Sequence, residues 1–372
     1  MSEVKKDGNP SQGAAGAYTL AEILSQPECW GKCLRDLEAS SEIESIRKSF
    51  AEAAEWIFVG CGSSYYIALA AAASWSEITG RRASAIPASE VMLYPEASLA
   101  GSENFVPVLI SRSGRTSEVL KAAELFKGKR VRSLAITCAA GQALEMLTTH
   151  TIVLPAADEQ STVMTRSFTS MLLALQYLAA ALAPKDELMG SLHELSAASE
   201  NILKKLAPRV RDLTSAKRFE DYVCLGQGPY YGLASESALK LTEMSCSYGQ
   251  SFHTLEFRHG PKSIVSPQTL ITFLLSERHY AAELEMLEEV KQLGGSTLVI
   301  ANKADAPTRA AADFLVELAL PGPEVTRLAA YMLAGQLMGL YTGLQKGLDP
   351  DRPRNLSRVV ILKEDRPQHA TI

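Results

Sequence analysis

Leu-Ile-Ser-Arg-Ser-Gly-Arg-Thr-Ser-Glu-Val-Leu, residues 109–120, runs from apolar residues through hydroxyls and one glycine into helix formers. The apolar run reads as a buried strand ending at Ser111, and a helix opens near Thr116. The first amides of a helix have no intrahelical acceptor, and the helix dipole favours negative charge beside them. Ser111, Ser113 and Thr116 add hydroxyl donors, and Gly114 lets the backbone come close to a ligand. The loop therefore suits a phosphate. Ser and Thr are also ordinary helix caps, so the motif alone describes a plain strand–helix joint as well.

A second turn of the same kind lies upstream. Trp-Ile-Phe-Val-Gly, residues 56–60, is a short apolar run that reads as a strand, followed by Cys61-Gly62-Ser63-Ser64 and a helical stretch from Ser64 to about Thr79. Further strands are expected at 108–111, 133–137 and 151–154, with helices at 116–126 and 165–182 and helical patterns from about Thr19 to Glu55. Alternating strands and helices predict a parallel sheet covered on both faces. Ligands of such sheets bind at the carboxyl ends of the strands, where both loops fall. The Gly60–Gly62 pair is not a dinucleotide fingerprint: Tyr65 stands at the third glycine position, and residues 81–85 offer no acid for a ribose.

The pattern then recurs. Val-Gly-Cys-Gly (59–62) matches Leu-Gly-Gln-Gly (225–228), and Leu-Ile-Ser (109–111) matches Leu-Leu-Ser (274–276). Leu-Ala-Ile (134–136) matches Leu-Val-Ile (298–300), Val-Leu-Pro (153–155) matches Ala-Leu-Pro (319–321), and Thr165-Arg166 matches Thr326-Arg327. Five matches in order, offset by 161–166 residues, predict two related α/β halves. The expected division is a disordered lead-in at 1–18, a first domain at 19–184 and a helical link at 185–218. A second domain at 219–347 and a C-terminal tail at 348–372 complete it. The loop equivalent to 111–116 is Ser276-Glu277-Arg278-His279-Tyr280, which lacks the glycine and carries a carboxylate that repels phosphate. Phosphate is expected in the first half only.

Composition fits a globular protein whose halves bury cores without metals or disulfides. Of the 372 residues, 47% are hydrophobic and 21% charged, and the net charge of −5 argues against nonspecific nucleic-acid binding. Cys29, Cys33, Cys61, Cys138, Cys224 and Cys246 are scattered without a metal-ligand pattern, so neither a metal nor a cofactor is expected and reduced thiols in the cytoplasm are. The first 17 residues lack the apolar core of a signal peptide. The apolar stretch 168–183 is too short and polar to span a bilayer.

Taken together, GCGSS (60–64), PASE (87–90), ISRSGRTSE (110–118), VMTRSFTS (163–170), ESALKLTEMS (236–245), EFRHG (256–260) and DRPRNLSRVV (351–360) resemble the sugar isomerase (SIS) family. The likeness covers roughly 19–362. It is greatest to the isomerase half of glutamine–fructose-6-phosphate aminotransferases and to free-standing glucosamine-6-phosphate deaminases of archaeal type. It implies two tandem doubly wound, flavodoxin-like domains. It also implies aldose–ketose isomerisation of a phosphorylated aminosugar with ammonia release, in a homodimer whose site is shared between subunits. Cys61, Gly62, Ser63, Ser111, Arg112, Ser113 and Thr116 fall on substrate and phosphate binders. Glu243 falls on the base that moves a proton between C1 and C2, with Lys240 beside it. His259 falls on a ring-opening histidine that the neighbouring subunit supplies, and Glu256 on a glutamate of the same loop. Met1 is followed by Ser2 rather than a nucleophilic cysteine, so a glutaminase activity is not expected of these residues.

The residue types agree. Glu236, Lys240 and Glu243 share a helical face at i, i+4 and i+7. A partly buried carboxylate beside a lysine can take a proton next to a carbonyl or imine and return it one carbon away. A histidine can pass a proton from O1 to O5 and so open the ring. Read without the family, the same face is also a solvated salt-bridge stripe, and His259 a histidine capping a loop. Two other activities use this set: a deglycase for phosphorylated sugar–amine adducts and a non-catalytic sugar-phosphate sensor. Glu243 and His259 favour an enzyme. One position departs from the aminotransferase pattern, because Arg358 stands where a Schiff-base lysine belongs and stays protonated, so covalent capture of a ketose there is not expected and Arg358 is instead expected to bind a substrate hydroxyl or carboxylate.

Overall fold

The computed structural model describes residues 14–362. The expected lead-in lies outside the described residues up to position 13, as do residues 363–372 of the tail. Helices α1 (Ala17–Leu24), α2 (Gln26–Ala39) and α3 (Glu42–Ser49) open the chain. The first sheet unit follows as β1 (Glu55–Gly60), α4 (Ser63–Thr79), β2 (Arg82–Pro87), α5 (Ala88–Leu93), α6 (Pro95–Ser98), β3 (Phe105–Ile110), α7 (Ser117–Gly128), β4 (Leu134–Thr137), α8 (Ala143–Leu147), β5 (His150–Val153) and α9 (Arg166–Leu182). A helix of 31 residues, α10 (Asp186–Ala216), leads to the second unit. That unit is β6 (Asp221–Gly226), α11 (Pro229–Ser245), β7 (Gly249–Phe252), β8 (Thr269–Leu274), α12 (Tyr280–Gln292), β9 (Ser296–Ala301), α13 (Ala306–Ala311), β10 (Phe314–Glu317) and α14 (Leu328–Gln345).

The two sheets are all-parallel and have one topology. The strand order is β2-β1-β3-β4-β5 in the first and β7-β6-β8-β9-β10 in the second, the doubly wound flavodoxin-like order. Strands β1, β8 and β9 are buried at every residue, as continuous apolar runs between two helical layers should be. The edge strand β2 is half-buried and its sequence, Arg-Ala-Ser-Ala-Ile-Pro, alternates weakly, which is why sequence periodicity does not reveal it. The helical pattern read as far as Glu55 ends at Ser49, because residue 55 already pairs with residue 82 in β1.

The repeated Gly-x-Gly turns have one physical cause in both halves. A Cβ on Gly60 would lie 2.5 Å from the Ser64 backbone, and one on Gly226 would lie 2.4 Å from the Tyr230 carbonyl oxygen. Gly62 and Gly228 take φ of 53° and 55°, where other residues are strained. These glycines let α4 and α11 start directly against the ends of β1 and β6. The two helices then pack on each other, with α9 and α14 beside them, in one apolar core that joins the halves. Trp30, Trp56 and Trp75 are fully buried in it. Side chains of this size are each worth roughly 1.5–3 kcal/mol when removed from water. The seam between α4 and α11 sets Ser63 of the first half against Glu236 and Lys240 of the second.

Candidate active site

The phosphate-type loop of the first half is ready-made by β3 and α7. Ser111 is buried and its hydroxyl lies 3.1 Å from that of Thr116. Gly114 has φ of 63°, and a Cβ there would lie 2.7 Å from Gln142 Cβ. Among the described residues, the amides of Arg112 and Ser113 find no protein acceptor. Above this loop lies a cleft of about 200 Å³. Cys61, Gly62 and Ser63 form one wall, and Arg112, Ser113 and Thr116 form the floor. Glu243 reaches it from α11, Thr162 and Met164 from the segment before α9, and Leu356, Ser357, Arg358 and Val360 from the tail. Burial and the carboxylate of Glu118 push the Cys61 thiol up to about 12, so it stays neutral.

The helical face at 236, 240 and 243 is not a solvated stripe. Glu236 and Lys240 are fully buried, and Glu243 is the one with an exposed edge, at 18%. Lys240 Nζ lies 3.2 Å from Glu236 Oε1, pairs with Glu243 Oε2 and donates to Ser63 Oγ at 3.3 Å. Ser63 in turn donates to Glu236 Oε1 at 3.0 Å, which ties the first half to the second. Burial pushes the Glu236 carboxyl up to about 8 against the pull of Lys240, and its Oε2 is buried without a partner. Burial alone would lower Lys240, yet Glu236 and Glu243 outweigh it and hold the ammonium above its ordinary value. Lys240 is thus a buried ammonium between two carboxylates, and Glu243 is the member of the set that opens to the cleft.

Other residues singled out in the sequence fall differently. Arg112 floors the cleft, but its guanidinium is engaged by Glu159 Oε2 (3.1 Å) and by the carbonyls of Thr162 (2.8 Å), Val163 (3.1 Å) and Arg358 (3.2 Å). It fastens the walls rather than offering a free charge. Glu159, buried, is held by Thr165 and Ser167 as well. Arg358 points along the cleft and pairs with Asp158. Glu256 and His259 sit on an exposed turn after β7 and do not line the cleft of their own chain. Sequence reading did not single out Glu236 as a site residue. Its place on the Lys240 face was visible, but its complete burial was not.

The equivalent loop of the second half is filled from within. In the strand register Ser276 and Glu277 stand at the positions of Arg112 and Ser113, and the amides of Glu277 and Arg278 donate to Glu324 Oε1 (2.8 Å) and Oε2 (3.3 Å). The amide and hydroxyl of Ser276 donate to Glu283 at 2.7 and 3.2 Å. Glu277 is bound by Arg327 at 2.9 and 2.7 Å, which holds its carboxylate below its usual range. Carboxylates of the chain occupy the amides that the first half leaves open.

Comparison with known proteins agrees with this architecture. The model of the SIS domain matches residues 49–181 and 217–341. The isomerizing glutamine–fructose-6-phosphate aminotransferase of Methanothermobacter thermautotrophicus is 26% identical over 366 residues, covering 95% of this chain and 58% of the relative. That of Bacteroides thetaiotaomicron is 27% identical over 388 residues, covering 97% of this chain and 62% of the relative. The chain therefore spans about three fifths of the length of these relatives. Among solved structures, glucosamine-6-phosphate deaminase from Thermotoga maritima is 28% identical with a TM-score of 0.75, covering 93% of this chain and all of that one. Tagatose-6-phosphate ketose/aldose isomerase from Escherichia coli is 25% identical with a TM-score of 0.82, covering 97% of this chain and all of that one. With both halves matched by one domain model and both sheets sharing one strand order, this chain belongs to the SIS domain family.

Proposed function

We propose that the chain interconverts the aldose and ketose forms of a phosphorylated aminosugar and releases ammonia, with glucosamine 6-phosphate to fructose 6-phosphate as the reference reaction. The observation that carries this reading is the placement of Glu243. Its carboxylate enters the same small cleft as Ser113 and Thr116 and is backed by the buried Lys240 ammonium. Phosphate held by the open amides of the first-half loop sets the sugar's far end. Glu243 takes the proton from C2 of the open-chain aldose, made acidic by the C1 aldehyde, and returns it at C1; the imine so formed at C2 takes up water and loses ammonia to leave the ketose. The fixed positive charge of Lys240 stabilises the enediol-like charge that develops between the two steps. The resemblance to an aminosugar deaminase and a ketose/aldose isomerase supports the same class.

Ring opening falls to His259 in this reading, supplied with Glu256 by a second copy of the chain. Their exposure on the turn after β7, outside their own cleft, fits such a role. The protein then acts as a homodimer in the cytoplasm, where phosphosugars are made and consumed. Residues 19–184 hold the phosphate, and 219–347 supply the proton-transfer helix. Among the described residues no helix is long and apolar enough to cross a membrane. The direct test is ammonia release from a panel of 6-phosphorylated aminosugars, followed with the sugar product. Release of a larger amine but not of ammonia would favour the deglycase reading. Tight binding with no product would favour the sensor.

A further inference from the structure

Two walls of the cleft belong to neither sheet: the segment 159–164 and the tail 356–360. Both are held by one element far from the chemistry in sequence, the first helix. The N-terminus of α1 has no side-chain cap of its own. Asp351, at the root of the tail, supplies one from more than 330 residues away: Oδ1 accepts from Thr19 N and Thr19 Oγ1, both at 2.7 Å, and Oδ2 from Tyr18 N at 3.1 Å. Asp349 accepts from Gly16 N at 3.0 Å. One turn further along α1, Glu22 is buried and accepts from the amides of Gln160 (2.5 Å) and Ser161 (3.3 Å) and from the Ser161 hydroxyl. Thr162 and Met164, the next contacts along that segment, face the cleft.

Beyond the root the tail is exposed and thinly attached. Arg112 donates to the Arg358 carbonyl oxygen at 3.2 Å, Ser117 N to Val360 O at 3.2 Å and Leu362 N to Ser117 Oγ at 3.0 Å, and the half-exposed Arg358 side chain pairs with Asp158. Ser117 is the first residue of α7, so residues 360–362 of the tail lie on the start of that helix. A strap with so few contacts keeps its place over the cleft through the fixed position of its root. Building on the reading above, we propose that Asp351 and Glu22 are positioning residues. Through α1 they set the tail and the 159–164 segment against each other, and so set the closed shape of the sugar-phosphate cleft.

The test compares Asp351→Ala, Asp351→Asn and a control, Leu287→Ala, which destabilises the second-half core away from the cleft. Amide exchange is followed by mass spectrometry on peptides covering 354–362, in the full chain, with and without fructose 6-phosphate. Loss of a helix cap corresponds to roughly 5- to 10-fold in an opening equilibrium. Asp351→Ala should therefore speed tail exchange by about that factor and raise KM for glucosamine 6-phosphate similarly, with kcat changing less. Asp351→Asn keeps a capping oxygen and should restore both. Leu287→Ala should lower the melting temperature without moving either. Unchanged tail exchange in Asp351→Ala, or equal acceleration in Leu287→Ala, overturns the proposal. If the wild-type chain turns over no aminosugar phosphate, the proposed reaction fails, while the exchange measurement still decides whether α1 holds the tail.

Discussion

The loops that begin at Ser111 and at Leu275 follow equivalent strands, yet what lies over the two loops is opposite in kind. Over the first are open amides, hydroxyls and a cleft. Over the second are Glu324 and Glu283, seated on the amides that an anion would use. A carboxylate from within the chain does locally what a bound phosphate does, satisfying orphan donors and answering the helix dipole. The second-half loop, 275–279, is one residue shorter than 111–116 and has no left-handed residue like Gly114, and carboxylates of the chain satisfy its amides. Its contribution to the cleft is α11, which turns Glu243 and Lys240 towards the first half. In the proposed reaction one copy of the fold is the binding half and the other the reacting half, joined by the Ser63–Glu236 hydrogen bond.

The largest effect expected from testing this division is on turnover. Glu243→Gln keeps the shape of the second-half contribution but cannot take a proton. The rate should fall by roughly 10²–10⁴-fold while sugar-phosphate binding is retained. Full activity in this variant would remove the proton-transfer role from α11. Next comes affinity: Ser113→Ala with Thr116→Ala should weaken fructose 6-phosphate binding by roughly 10- to 100-fold, since hydrogen bonds to a charged ligand are lost. Ser276→Ala, in the second-half loop, should leave it unchanged. Calorimetry with all three variants decides the point, and a comparable loss from Ser276→Ala would mean that both halves bind anions.

A smaller effect concerns the internal carboxylate. Glu324→Ala uncovers the amides of Glu277 and Arg278 and the Tyr230 hydroxyl, and should cost about 1–2 kcal/mol. Added inorganic phosphate should restore part of the melting temperature in this variant more than in the wild type. A variant that phosphate does not rescue would show that the loop has lost its anion geometry along with its chemistry.

Titration reads the second half through its two buried acids. Glu236 sits at about 8 and Glu283 at about 7 in the folded chain, both raised by burial above 4.5. A carboxyl raised on folding stabilises the protein fully below its unfolded value and loses that contribution as pH rises through its folded value. Stability from these groups should therefore decline from about pH 4.5 to 8. Glu236→Gln should remove the upper part of that decline, near 8, and leave the part due to Glu283. Urea midpoints from pH 5 to 9 measure it, and an identical profile in wild type and variant would contradict the buried-acid assignment. The smallest effect is expected at the tail: Arg358→Ala should cost only a few-fold in activity, because arginine forms no imine and here pairs with Asp158. Borohydride reduction with a ketose phosphate should give no adduct at that position.

Much of this was readable without coordinates, and for a local reason. The apolar runs at 56–60 and 108–110, the Gly-x-Gly turns and the hydroxyl loop are all features whose cause lies within a few residues. They predict strands, tight turns and an anion loop wherever they occur. The five ordered matches extended that local reading to two halves, and the sheets bear it out with one strand order twice. The half-buried edge strand β2 was missed because its weak alternation takes meaning only from pairing with β1.

The amino-acid sequence by itself determined the two-fold α/β plan, the phosphate-type loop in the first half and the shared helical face of Glu236, Lys240 and Glu243. Only tertiary structure decided which of those groups is free to act. Spacing places three charges on one face, but burial against α4 takes Glu236 and Lys240 wholly out of water and leaves Glu243 the edge on the cleft. Likewise Arg112 has the same charge in any conformation, and Glu159 with three carbonyl oxygens turns it into a fastener. The physical reason is that solvation and pairing depend on everything packed around a group, and those neighbours come from positions tens to hundreds of residues away.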